Sequence, residues 1–260
     1  MRGLNGKRVV VTGAASGIGE ATAHRFVEEG CQLWLLDLDG PGLARVARDL
    51  EALRPGCVAG LSEVDVSDPA AVTGAFVDLD AVWSTCEVLI NNAGISTRAR
   101  FLEIDLAEWQ RVLDVNLTGS FLVARAAAER MHAAGAGVIL NMGSMNGLVG
   151  CPNYTHYNAS KAAVIQMTRT MALELAPRVR VLGVCPGAVL TPMQEAEYTP
   201  EMFAALNAKI PLRRHAAPAE IAALFAFLAS DEAPYICGTS IVIDGGESSG
   251  GLASAADESL

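Results

Sequence analysis

A chain of 260 residues is long enough for one large α/β domain or two small ones. Its 51% hydrophobic content and mean hydropathy of +0.31 call for a large buried core, yet no apolar run approaches the ~18 residues a membrane span needs. A net charge of −10 argues against nucleic acid or an anionic membrane as main partner.

The six cysteines (Cys31, Cys57, Cys86, Cys151, Cys185 and Cys237) are widely spaced, with no Cys-x-x-Cys and no Cys/His spacing fit for zinc. Reduced thiols, no metal and a cytosolic location are expected. The start, Met1 to Lys7, leads straight into a strand without a separate apolar region, so no secretory leader is expected.

Lys7–Thr12 is a β-branched run that ends at glycine, which predicts a buried strand. Gly13, Ser16, Gly17, Ile18 and Gly19 form a turn into an amphipathic helix that runs through Glu29. Strand, glycine turn and helix make a phosphate site: the backbone can approach closely, and the helix start offers free N–H groups. The second strand, Gln32–Leu36, ends in Asp37, at the distance for a carboxylate to accept both ribose hydroxyls of an adenosine. Leu38 follows, with no Arg or Lys nearby in sequence to receive a 2′-phosphate, so NAD is expected over NADP.

The alternation continues. A helix is predicted over about 41–53, a strand over 57–64 ending at Asp65 and Val66, a helix from about 69, and a strand over 87–90 ending in Asn91-Asn92-Ala93-Gly94. One long helical region covers about 105–134, and its small residues Val123–Ala128 would admit a close helix. Further strands are expected at 138–142, 179–184 and 240–243, with helices to about 175 and over 218–230. Residues 191–214 read as an inserted flap, and 247–260 as a Gly/Ser/Ala-rich tail. One domain with a parallel, doubly wound sheet of about seven strands and helices on both faces fits.

The helix after the fifth strand carries Tyr157 and Lys161 one turn apart on one face. With four Tyr and three Lys in the chain, about 0.05 such pairs are expected by accident. A cation beside the phenol would lower its pKa and let it exchange a proton near neutrality. Ser144 ends the preceding strand and can donate to a substrate carbonyl oxygen in the same cleft. Gly143-Ser144-Met145 is not a hydrolase nucleophile elbow.

Thr12-Gly-x-x-x-Gly17-x-Gly19, Asn91-Asn-Ala-Gly94, Asn116, Ser144, Tyr157-x-x-x-Lys161 and Pro186-Gly187 with Thr191, in this order, resemble the short-chain dehydrogenase/reductase family, single-domain type, from Lys7 to about Gly246. The resemblance implies Tyr157 as acid/base and Lys161 as its modulator and the holder of the nicotinamide ribose. It implies Ser144 on the substrate oxygen and Asn116 as anchor of a relay water. Asp65 and Val66 would meet the adenine, Asn91, Ala93 and Gly94 would lie along the cofactor, and Val189 and Thr191 would hold the carboxamide. A homotetramer is implied as well, and the apolar helix faces at 123–128 and 159–175 point the same way. Glu87 stands where relatives often have Asp.

Other pocket candidates are Asn146, Cys151, Asn153 and Tyr154. His156 is expected mainly at the solvent, with a place in the substrate pocket as the alternative; Arg98 and Arg100 on a solvated loop, with anchoring of an anionic substrate as the alternative; and Met193, Met202 and Phe203 as an apolar wall or as flap core. The leading expectation is an NAD-dependent oxidoreductase of small secondary alcohols or ketones. An acyl-carrier-protein ketoreductase and a non-catalytic cofactor-binding protein are the alternatives.

Overall fold

The computed structural model describes residues 1–250, so most of the expected tail lies outside the described residues. The chain alternates β1 (Arg8–Thr12), α1 (Gly17–Glu28), β2 (Gln32–Asp37), α2 (Gly40–Leu53), β3 (Val58–Glu63), α3 (Pro69–Val82) and β4 (Val88–Asn91). It goes on through α4 (Leu106–Leu113), α5 (Ser120–Ala134), β5 (Gly137–Met142), α6 (Thr155–Leu175) and β6 (Val179–Pro186). Two short helices, α7 (Pro192–Glu197) and α8 (Pro200–Asn207), precede α9 (Pro218–Ala229) and β7 (Ser240–Ile243).

All seven strands are parallel, in the order β3-β2-β1-β4-β5-β6-β7. Both faces are covered, so the strands read as continuous apolar runs whose alternate residues feed opposite layers. Val9 and Val11 pack with Phe26 of α1, Val46 of α2 and Phe225 of α9. Val10 packs with Phe76 of α3, Val123 and Ala127 of α5 and Val181. The small residues of α5 therefore serve this chain's own core: Val123, Ala124, Ala127 and Ala128 are buried, and the exposed face carries Phe121, Arg125 and Glu129. Glu87 accepts from the backbone N–H (3.0 Å) and Nε (3.2 Å) of Arg8, tying the start of β4 to β1.

The long helix expected over 105–134 is interrupted. Residues Asp114–Gly119 form a widened π turn between α4 and α5. Its Asn116 bonds sideways, away from its own helix, and periodicity carries no mark of that. The flap is partly helical as expected, with Thr191 and Thr199 capping α7 and α8, each followed by proline. It leaves and rejoins the body at a narrow neck, where Leu190 N–H donates to Ala216 O at 2.9 Å and Ala216 N–H to Ala188 O at 2.9 Å. The strand order reverses between β1 and β4, and a cleft opens at the carboxyl ends of the strands, where doubly wound sheets bind ligands.

Candidate active site

The cleft has a volume of about 860 Å³. One wall is the glycine turn. Gly13 has φ +64° and no room for a side chain, since a Cβ would stand 2.8 Å from Asn92 Nδ2. Gly19 lies under the turn, where a Cβ would fall 1.8 Å from Gly13 O. It packs helix on strand and does not line the cleft. Ser16 precedes α1 without a side-chain cap bond, so the first N–H groups of the helix face the cleft unpaired by side chains. That is a ready anion site.

Asp37 stands at the rim. Its Oδ2 accepts Ala15 N–H at 2.9 Å and its Oδ1 accepts Asp39 N–H at 3.0 Å, which fixes the carboxylate and leaves a lone pair on each oxygen. The expectation of no cation nearby needs correction. Arg45 of α2 reaches back to Ala15 O at 2.9 Å. It is already engaged, pairing both its terminal nitrogens with Glu20 at 2.7 and 2.9 Å.

Asp65, Val66, Ala93 and Gly94 border the cleft, with Ser16, Gly17, Ile18, Val189 and Thr191. Asn91 does not. Its side chain is buried and donates to Ser120 O (2.8 Å) and Asn141 Oδ1 (3.0 Å), as core wiring between β4, α5 and β5. Asn92, its neighbour, borders the cleft and braces the turn by donating to Thr12 O at 2.9 Å.

Asn116 is also set behind the wall. It is fully buried, accepts Ile95 N–H at 2.8 Å, and donates to Ile95 O (2.9 Å) and Ser160 Oγ (3.1 Å). Its side chain clamps the loop after β4 to α6. Gly94 packs in between: a Cβ there would stand 3.1 Å from Asn116 Oδ1 and 3.5 Å from Lys161 Nζ.

The opposite wall carries Ser144, Tyr157 and Lys161. Lys161 is 3% exposed, and its Nζ donates to Met142 O at 2.9 Å. Burial lowers its pKa to about 8. Tyr157 departs from expectation. Burial pushes its phenol up to about 12, and the Ser144 hydroxyl is the group that pulls it down. Lys161 Nζ lies 5.7 Å from the Tyr157 ring centroid. Desolvation is the largest influence on the phenol.

His156 is fully buried, against the expectation of a solvent position. Its Nδ1 accepts the Tyr157 N–H at 3.0 Å, so the proton sits on Nε2, 2.8 Å from Thr97 Oγ1. Tyr154, Asn146 and Cys151 line the substrate end, whereas Asn153 does not. Of the flap residues, Met193 lines the cleft. Phe203 packs on Tyr198 (5.7 Å) and His215 (5.0 Å) instead, making a small flap core. Arg98 and Arg100 are exposed, as expected. Sequence reasoning passed over Gln194, Glu197, Tyr198 and Glu247, which also line the cleft. No spacing marks them, because flap and tail meet the cleft only through the fold.

A family model described as enoyl-(acyl carrier protein) reductase matches residues 13–248. Galactitol 2-dehydrogenase (L-tagatose-forming) of Cereibacter sphaeroides is 41% identical over 247 residues, covering 94% of this chain and 95% of the relative. A crystal structure of a short-chain type dehydrogenase/reductase from Mycobacterium marinum superimposes with a TM-score of 0.89 at 36% identity, covering 94% and 96% of the two chains.

The chain belongs to the short-chain dehydrogenase/reductase family.

It is an oxidoreductase of the dehydrogenase/ketoreductase kind, with a small-molecule substrate and a nicotinamide cofactor. A further family member, described as an NAD(P)-dependent gluconate 5-dehydrogenase from Beutenbergia cavernae, was solved with NADP at low occupancy. It has a TM-score of 0.90 at 35% identity and covers 95% of this chain and 98% of its own. The residues of the present cleft fit such a cofactor: uncapped helix N–H groups for the pyrophosphate, a fixed carboxylate for a ribose, and a buried lysine beside the reacting end.

Proposed function

We propose that the protein interconverts a secondary alcohol and a ketone with NAD(H). The observation that carries this reading is the Tyr157 phenol beside Ser144 and Lys161, on the wall facing the glycine turn. The cofactor would be held by the first turn of α1, by Asp37 and by Lys161, with Val189 and Thr191 at its far end. It supplies a hydride to the carbonyl carbon or takes one from the carbinol. In reduction Tyr157 gives its proton to the carbonyl oxygen while Ser144 donates a hydrogen bond to that oxygen as charge grows on it. In oxidation the same phenol oxygen takes the proton back. Lys161, a cation below about pH 8, favours negative charge on the phenol oxygen during that transfer. Asn116 keeps Ser160, and with it the Lys161 turn, against the Ile95 loop.

Asp37 supports NAD over NADP, because its charge repels a 2′-phosphate and the nearby Arg45 is occupied by Glu20. Unpaired, mostly buried thiols support a reducing, cytoplasmic setting. Exposed Phe121 and Leu173 on α5 and α6 support a homotetramer. The reading is tested by following nicotinamide absorbance with a panel of alcohols and ketones against both NAD(H) and NADP(H). Alcohol-dependent reduction of NAD is the expected result, and no turnover with any pair would overturn it.

A further inference from the structure

Tyr154 joins the start of α6 to the flap. It is 5% exposed, and its ring meets the Tyr157 ring edge-on, with centroids 6.2 Å apart. Its hydroxyl donates to Glu197 Oε2 at 2.6 Å. With its one proton spent there, its oxygen is left to accept from the Tyr198 hydroxyl, 3.3 Å away. Glu197 closes α7 and Tyr198 follows it.

The flap depends on such a tie. Neither α7 nor α8 contains a buried residue, and neither packs along another helix or strand. Segments with so little buried contact open at low free energy. Among the described residues, the only hydrogen bonds from 192–198 to residues outside the flap are those to Tyr154. Glu197 depends on the same bond. Its Oε1 is buried without a partner, and no cation pairs with it among the described residues. A carboxylate that loses its last donor is driven toward water.

Resting on the alcohol–ketone reading above, we propose that Tyr154 is a positioning residue that latches α7 over the substrate end of the cleft. Met193 and Gln194 of α7 border the cleft there, so the latch places them against bound substrate. A flap held down in this way retains the substrate near Tyr157 and lowers KM. The latch is anchored on the helix that carries the proposed acid, so the flap is registered to the reacting group and not to the sheet alone.

Tyr154→Phe keeps the ring against Tyr157 and removes the bond. Hydrogen exchange followed by mass spectrometry is expected to quicken about tenfold over 192–207 and to stay as in wild type over β1, α1 and the rest of α6. Kinetics use isopropanol, cyclohexanol or sorbitol, whichever the wild type oxidises fastest with NAD or NADP. KM is expected to rise about tenfold, with kcat and NADH affinity within about threefold. Glu197→Ala is expected to match Tyr154→Phe, and the double variant to be no worse than either, because both act through one bond. Glu197→Gln keeps an oxygen for the phenol and is expected to recover most of the loss. Unchanged exchange over 192–207, an unchanged KM, additive losses in the double variant, or equal losses in KM, kcat and NADH affinity would overturn the proposal. Absence of turnover in the wild type would take down the alcohol–ketone reading, and exchange alone would then decide whether Tyr154 holds the flap.

Discussion

Nδ1 of His156 accepts the backbone N–H of Tyr157 at 3.0 Å. Tyr154, which precedes α6, offers no side-chain cap, so this imidazole does that work next to the proposed acid while its Nε2–H donates to Thr97 on the loop after β4. His156 is thus a positioning residue. His156→Phe leaves two polar groups without partners, at a cost of about 1–3 kcal/mol. It is expected to lower both the melting temperature and kcat, with NADH affinity within about threefold of wild type. His156→Asn keeps an acceptor near the Nδ1 position and is expected to restore part of kcat. Thermal melts, kinetics and NADH fluorescence titration check this, and equal losses in the two variants would count against a capping role.

Tyr157→Phe keeps the ring and removes the proton carrier. Turnover is expected to fall by about a hundredfold or more, with fold and NADH binding retained. Ser144→Ala acts chiefly on kcat, because its bond to the substrate oxygen strengthens as charge develops. Lys161→Ala is expected to weaken both turnover and cofactor affinity. Near-normal turnover in Tyr157→Phe would require another acid.

The proposed preference for NAD rests on two carboxylates. Asp37→Ala is expected to weaken the NAD preference by removing the charge that repels a 2′-phosphate. Glu20→Gln releases Arg45, whose guanidinium already touches the glycine turn at Ala15 O, and the double variant is expected to gain NADP efficiency beyond the sum of the two single changes. Kinetics with both cofactors on the four proteins checks it. Additive or absent effects of Glu20→Gln would show that Arg45 cannot turn toward the ribose.

Lys161, which is buried, and Tyr157, which is half-buried, set an alkaline signature. The Lys161 pKa falls from 10.5 to about 8 on folding, so between those values the unfolded chain binds the extra proton and stability rises with pH. The rise is at most about 3 kcal/mol. Tyr157 goes from 10.0 to about 12, so the native state holds the extra proton above pH 10 and stability falls there. Urea unfolding at pH 8 and pH 10 is expected to show a rise that Lys161→Met abolishes. A variant with the same pH dependence as wild type would place the effect on other groups.

Leu173 on α6 is 84% exposed and Phe121 on α5 46%. An apolar surface of this kind marks an interface. Light scattering at micromolar concentration is expected to give a tetramer, and Leu173→Asp a smaller species. A monomeric wild type would refute the assembly.

What the sequence disclosed follows from local chemistry. Alternating apolar runs and glycine turns announce the strands. Gly13, Asp37, Ser144 and Tyr157 each follow from a strand end or a helical spacing. What it hid depends on distant segments meeting. Arg45 is thirty residues from Ala15, and Glu197 reaches Tyr154 across the flap. Asn91 and Asn116 look like cleft residues until their side chains are seen saturated by the core. The Tyr157 pKa was misjudged because charge spacing is legible in a helix, whereas burial of the phenol is a property of the whole cleft.

The neck at Leu190 and Ala216 has a consequence for how this protein diversifies. Apart from Thr191 at the root of the flap, the residues proposed to hold the nucleotide hang from the sheet, while Gln194 and Glu197 ride on an excursion whose two ends are already pinned together. Closing such a loop costs little more if its length changes, so the segment behaves as an interchangeable cartridge. Transplanting another 191–214 stretch between the same neck residues would redirect which alcohol is admitted while the redox half of the molecule folds as before.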